Sequence, residues 1–143
     1  MDVSDLRRQI VRALDDARKD AAARRAQTDS AAADYEQFLN DVAIPLFRQA
    51  ATVLKGEGHP FTVNTPAGSV RLASEHAPDD YLELELDAAS APPHVIGRTS
   101  VRARRGHRLE ERPLAPNKPV RELAEDDVSA FLISEVRKLV VRS

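Results

Sequence analysis

Cysteine is absent from the 143 residues, and so is tryptophan. Without a thiol the chain has no disulfide framework, no thiolate nucleophile and no zinc–thiolate cluster, which accords with a reducing cytoplasm. Aromatic residues make up 4%. A sheet that binds nucleic acid stacks bases on several rings, and here few are available. The five glycines never fall in a phosphate-cradling order, since the Gly56-Glu57-Gly58 run closes a helical stretch rather than opening one. No serine lies in a G-x-S-x-G context, and there is no H-E-x-x-H. No run approaches the roughly 20 apolar residues of a membrane-spanning helix. The opening MDVSDLRRQIVRALDD carries acids and lacks the apolar core of a signal peptide. A net charge of −2 exerts no global pull on nucleic acid or anionic lipid. These absences point to a cytoplasmic chain with no membrane association, no cofactor and no enzymatic activity.

What is present is an architecture. The length suits one compact domain with a core of its own. Residues 4 to 56 read as helix. From Tyr35 onward, Phe38, Leu39, Val42, Leu46, Phe47, Ala50, Val53 and Leu54 recur at a spacing of three or four, a stripe wide enough to bury. Pro45 falls inside it and predicts a kink near Asp41 to Pro45. Gly56 is expected to close the helix in the left-handed conformation. Before Tyr35 the stripe thins. Leu6, Ile10, Leu14 and Ala17 begin a seam that decays into DAAARRAQTDSAAAD, a sequence that forms helix easily but buries little area. Thr28, Asp29 and Ser30 are good N-cap residues, and a break there would divide a helical arm (1–30) from the main domain (31–143). Two readings of the arm remain open: it projects to pair with another copy or a partner, or it lies along its own domain.

Between residues 59 and 112 the apolar pattern changes to period two, the strand signal. In FTVNTPAGSVRL a turn at Thr65–Gly68 would set Val63 opposite Val70 and Phe61 opposite Leu72. YLELELD places Leu82, Leu84 and Leu86 on one side, and the strand from Val95 to Ala103 adds Val95, Thr99 and Val101 to the same face. Asp87 opposite His94 puts Glu83 opposite Arg98. The C-terminal segment is a second amphipathic helix striped by Val128, Phe131, Leu132, Val136, Leu139 and Val140. Acids crowd its first turn and Arg137, Lys138 and Arg142 its last, as the helix dipole favours. The fold class is therefore α+β: a long kinked N-terminal helix, an antiparallel meander of about five strands, and a C-terminal helix packed on one sheet face.

Two clusters carry the remaining chemistry. In the hairpin 98–112 a three-residue loop, Arg104-Arg105-Gly106, would set Leu109 opposite Val101 on the core side and Arg102 opposite Arg108 on the solvent side. Arg104, Arg105 and Arg108 then have no obvious acid in the chain, while Glu110 reaches Arg98 or Arg102. Arg102, Arg104, Arg105, His107 and Arg108 are thus candidates to contact a polyanion or a protein partner, although only Tyr81 offers a stacking ring, which disfavours nucleic acid. The loop 74–80 holds Glu75, His76, Asp79 and Asp80. His76, Asp79 and Asp80 are its candidate ligands for a divalent cation, in a composition common to ordinary polar loops. The leading expectation is a non-catalytic interaction or assembly module, a homodimer or higher homo-oligomer through Leu6, Ile10 and Leu14, with room for an unidentified protein partner. Alternatives are nucleic-acid binding or regulation through the arginine hairpin, and a small-molecule pocket between sheet and helices.

Overall fold

The computed structural model describes residues 2–140; Arg142 lies outside them. Helix α1 (Val3–Phe38), a π-helical turn (Leu39–Ala43) and α2 (Ile44–Gly56) follow one another without a loop. The break expected at Thr28–Ser30 does not occur: α1 runs through these residues for 36 in all, and the alanines on both sides supply the propensity that carries it. Asp2 caps its start, its carboxylate accepting from the Ser4 N–H.

Pro45 produces the local irregularity its chemistry requires, in a specific form. A proline ring would collide with the Asp41 carbonyl four residues back. The chain widens instead: the Ile44 N–H donates to the Leu39 carbonyl, five residues back. Pro45 thereby falls in the first turn of α2, where a missing N–H is cheapest. The end of α2 corrects the expectation for Gly56, which is an ordinary helical residue. Gly58 is the left-handed one (φ 88°). The His59 N–H donates to Leu54 (2.8 Å) and the Gly58 N–H to Lys55 (3.1 Å), the paired bonds of a Schellman cap.

Strands β1 (Phe61–Asn64), β2 (Ser69–Ser74), β3 (Tyr81–Asp87), β4 (His94–Arg102) and β5 (His107–Pro113) form an antiparallel meander in chain order. The β3–β4 register is the expected one, Glu83 opposite Arg98 and Asp87 opposite His94. The two outer hairpins differ. In β1–β2 Val63 faces Leu72 and Phe61 faces Ser74, a slip of two residues that keeps each side chain on its expected face. In β4–β5 the slip is one, so every β5 side chain changes face: Leu109 pairs with Ser100 and Arg108 with Val101. The Ala103 N–H donates to the Gly106 carbonyl at 2.8 Å, Arg104 and Arg105 form the tip, and Gly106 holds φ 79°. Leu109 ends up 52% exposed on the outer face.

A short 3₁₀ turn (Val120–Glu122) leads to α3 (Glu125–Val140). The apolar inner face of the sheet, with Val70, Leu72, Leu82, Leu84, Val95 and Val101, packs against Tyr35 and Phe38 of α1, Phe47 of α2, and Val128, Phe131, Leu132 and Leu139 of α3. Phe131 is 1% exposed and lies over Gly97. A Cβ at Gly97 would stand 2.3 Å from a Phe131 ring carbon, so this glycine is the socket for the ring. Tyr35 ties α1 to the sheet through its hydroxyl, which donates to the Gly68 carbonyl at 2.7 Å and also lies 3.4 Å from that of Leu84. Burial, reinforced by the charges of Glu85 and Glu83, pushes the Tyr35 hydroxyl pKa well up from 10.0.

Two stability outcomes follow from this packing. Phe131→Ala should cost about 3–5 kcal/mol, the usual loss for a buried ring, and Gly97→Ala about 1–3 kcal/mol through overpacking. In urea melts the Gly97→Ala cost should shrink in a Phe131→Ala background; additive losses would refute the socket. Because the Tyr35 pKa is raised in the folded state, its contribution is fully present below pH 10 and is lost as pH rises further, where only the unfolded chain releases the proton. The wild type should therefore lose stability above pH 10, and Tyr35→Phe should lose less over the same range.

Candidate functional site

The arm carries the largest unpartnered apolar feature among the described residues. Leu6 (47% exposed), Ile10 (50%) and Leu14 (51%) stand open, with Val3 at 80%. From Val3 to Gln27 only Ala21 is even half-buried, so the arm does not lie along its own domain. Ala31, half-buried, is the first α1 residue packed against the core. Leu6, Ile10, Leu14, Ala17, Ala21, Thr28, Ala31, Tyr35 and Phe38 follow one another at steps of three, four or seven. The exposed stripe is thus a continuation of the face that buries Tyr35 and Phe38.

At the arginine hairpin the structure supplies more acids than the sequence suggested. Arg108 Nε lies 3.2 Å from Glu110. The Arg102 N–H donates to Asp80 at 2.8 Å, and His107 Nε2 lies 3.9 Å from Asp79. Arg104 and Arg105 at the tip form no ion pair among the described residues. The opposition of Arg102 to Arg108 does not exist, since Arg102 faces His107. Nor does Glu110 reach Arg98 or Arg102; it turns to Arg108 and Lys138.

The loop 74–80 is committed to the fold. Asp80 holds Arg102, the Asp79 carbonyl accepts from Ser100 at 2.7 Å, and Glu75 accepts from Thr62 at 3.0 Å. His76 is exposed. Among the described residues no three His, Asp or Glu side chains converge as metal ligands would.

Of two charge clusters, only the Glu83–Arg98 pair of the first was foreseen. On the outer face Glu83 is 3% exposed, gripped by both Arg71 (2.7 Å) and Arg98, and Arg98 also holds Glu85 (3.1 Å) and Glu111 (2.8 Å). The Arg71 guanidinium lies 3.9 Å above the Tyr81 ring. Bonding to Glu111 foremost, set against some burial, raises the pKa of Arg98 further above its ordinary value. On the inner face of β5, Arg112 meets Ser134 (3.0 Å) and Glu135 (3.5 Å), and Lys138 joins Glu135 (2.7 Å) to Glu110 (2.9 Å). That bond to Lys138 is the main reason the Glu110 pKa is lowered. Glu83 opposite Arg98 was visible in the register; the Glu135 cluster depends on which way β5 faces.

A groove of about 930 Å³ separates the base of the arm, at Ala26, Ser30 and Asp34, from the proline loops Ser90–His94 and Pro113–Arg121. A smaller, more apolar one of about 380 Å³ lies between α2 and α3, flanked by Val53 and Ile133, 64% and 68% exposed. No protein-family model matches the chain, and neither a curated protein nor a solved structure is significantly similar to it.

Changing Arg104, Arg105 and Arg108 together to Ala should leave the melting profile close to wild type, exposed changes being worth within about 0.5 kcal/mol each. Neither wild type nor variant should bind labelled DNA or RNA by fluorescence anisotropy at low ionic strength. Salt-sensitive binding by the wild type that the variant loses would make the tip a polyanion site.

Proposed function

We propose that the chain is a non-catalytic assembly module that self-associates through its N-terminal arm. The observation that carries this reading is the exposure of Leu6, Ile10 and Leu14 on the same helical face that buries Tyr35 and Phe38. An apolar stripe held out from the body on an alanine-rich helix leaves hydrophobic surface in water, and helices of this pattern bury it against another helix. The reading requires no cofactor, assigns no catalytic residue and suits a reducing cytoplasm. The competing readings have less behind them. At the hairpin 98–112 Glu110 pairs with Arg108 and no Phe, Tyr or Trp stands ready to stack a base, and the grooves lie on the surface rather than enclosed between sheet and helices.

Light scattering at micromolar concentrations tests the proposal. The wild type should weigh at least as much as a dimer. Leu6→Asp, Ile10→Asp and Leu14→Asp combined should give a monomer whose body keeps its fold by circular dichroism, since these side chains touch nothing in their own domain. A monomeric wild type at high micromolar concentration would overturn the reading.

A further inference from the structure

We infer that the surface covering the arm is the arm of a second copy, running antiparallel, with the two-fold axis at Leu14. This deepens the self-association reading and rests on it. Position and size carry it.

Position decides the direction. The body of the domain lies on the same face of α1 as the stripe, because Ala31, Tyr35 and Phe38 continue the line of Leu6, Ile10 and Leu14. In a parallel pair both bodies would stand at the same end, each on the side facing the partner, and would claim the same space. In an antiparallel pair they stand at opposite ends. Each tip then stops where the partner's body begins. The free arm runs from Val3 to Arg25, just short of the groove wall at Ala26. Overlap across that length sets Val3 beside the partner's Arg25 and Leu14 beside the partner's Leu14.

Size fits this register. Large side chains occupy the first half of the stripe and alanines the second. An antiparallel pair sets Leu6 against the partner's Ala21 and Ile10 against the partner's Ala17, so bulk meets gap in the layers on either side of the central Leu14 pair. A parallel pair would set leucine on leucine at one end and alanine on alanine at the other, forcing the axes apart where the leucines meet.

Charge does not decide the direction. One edge of the stripe carries Asp2, Gln9, Asp16, Asp20 and Arg24, and the other Arg7, Val11, Arg18 and Arg25. Antiparallel pairing turns each edge on its own copy. Asp2 comes near the partner's Arg24, Gln9 near the partner's Asp20, and Arg18 near the partner's Val11. Arg7, however, has the partner's Arg18 and Arg25 as its nearest neighbours on that edge. Charge alone would also accept a parallel pair, with Asp20 facing the partner's Arg25; the placement of the bodies would not.

The cysteine-free sequence makes disulfide mapping unambiguous. Leu6→Cys and Ala21→Cys variants of the full chain are each oxidised alone, then together after subunit exchange, with light scattering before oxidation. The mixture should yield a covalent dimer. Leu6→Cys alone should not, because its two thiols would lie about 24 Å apart along the pair at 1.5 Å per residue. Leu14→Cys alone should cross-link readily. Cross-linking of Leu6→Cys by itself at the rate of the mixture would overturn the antiparallel direction while leaving self-association standing. A dimeric mass with no cross-link in the mixture would overturn the arm-to-arm contact alone. A monomeric mass for the wild type and every variant would overturn both this inference and the reading beneath it.

Discussion

The face of α1 that begins with Leu6, Ile10 and Leu14 runs on, past Arg24 and Thr28, to Tyr35 and Phe38, and only its lower end is buried by the chain's own core. That constraint orders much of the molecule. At the lower end Tyr35 and Phe38 close the core and the Tyr35 hydroxyl fastens the helix to the Gly68 turn. Above Thr28 the same face meets nothing. Alanine sustains helix without tertiary support far better than other residues, which explains how the arm stands out from the body at all. Asp2 at the N-cap, and the Asp5–Arg8 and Asp15–Arg18 pairs three residues apart, add the small increments available to an exposed helix.

The sheet solves a different problem, that of placing charge on both faces. Glu83 is almost fully buried on the nominal solvent face, a position that strongly disfavours an unpaired carboxylate. Two guanidiniums hold it and Tyr81 covers one of them, so the charge is shielded by its partners rather than by apolar side chains. Removing one member of such a group costs more than the group as a whole contributes, because the survivor is left buried without compensation. The inner face of β5 works likewise. Arg112 lays its guanidinium 5.2 Å from the Phe131 ring and reaches Glu135 beyond it, so α3 meets β5 through ions where it meets Gly97 of β4 through a ring.

This division explains what could be read from the sequence. Period-two alternation placed all five strands, and the leucines of β3 named the buried face, because both depend only on local pattern. The β3–β4 register followed from the same alternation. The β1–β2 register slipped by two without harm, since a two-residue shift leaves every side chain on its face. The β5 error arose because the left-handed Gly106 is compatible with more than one loop length, and Leu109 drew the choice inward by its hydrophobicity. What seats Arg108, Glu110 and Arg112 inward is Glu135 and Lys138 on a helix some 25 residues later, a long-range term that no local pattern contains. Of the candidate residues, Leu6, Ile10 and Leu14 share one helix face as the periodicity required, while their exposure, which the periodicity left open, comes from the fold. His107 has an acid nearby, Asp79, that only the tertiary fold brings to it, whereas Arg108 meets Glu110 two residues along its own strand.

The sheet edges bear on where association can occur. An open meander ends in two strands with unpaired backbone groups, a standing invitation to edge-to-edge pairing. Here β1 is four residues long and is preceded by Pro60. At the other edge β5 carries Arg108, Glu110, Glu111 and Arg112 and ends at Pro113. Short length, proline and inward-pointing charge are the devices by which natural sheets resist adding a further strand. With both edges so guarded, apolar surface offered for burial falls to the arm, to the patch of Val53 and Ile133 between α2 and α3, and to the single Leu109 on β5. The patch sits on the compact body, where isolated exposed hydrophobic residues are ordinary. The arm repeats its exposure layer after layer along one face, in the part of α1 whose side chains the core does not use, and it is there that the proposed self-association would bury the most for the least rearrangement.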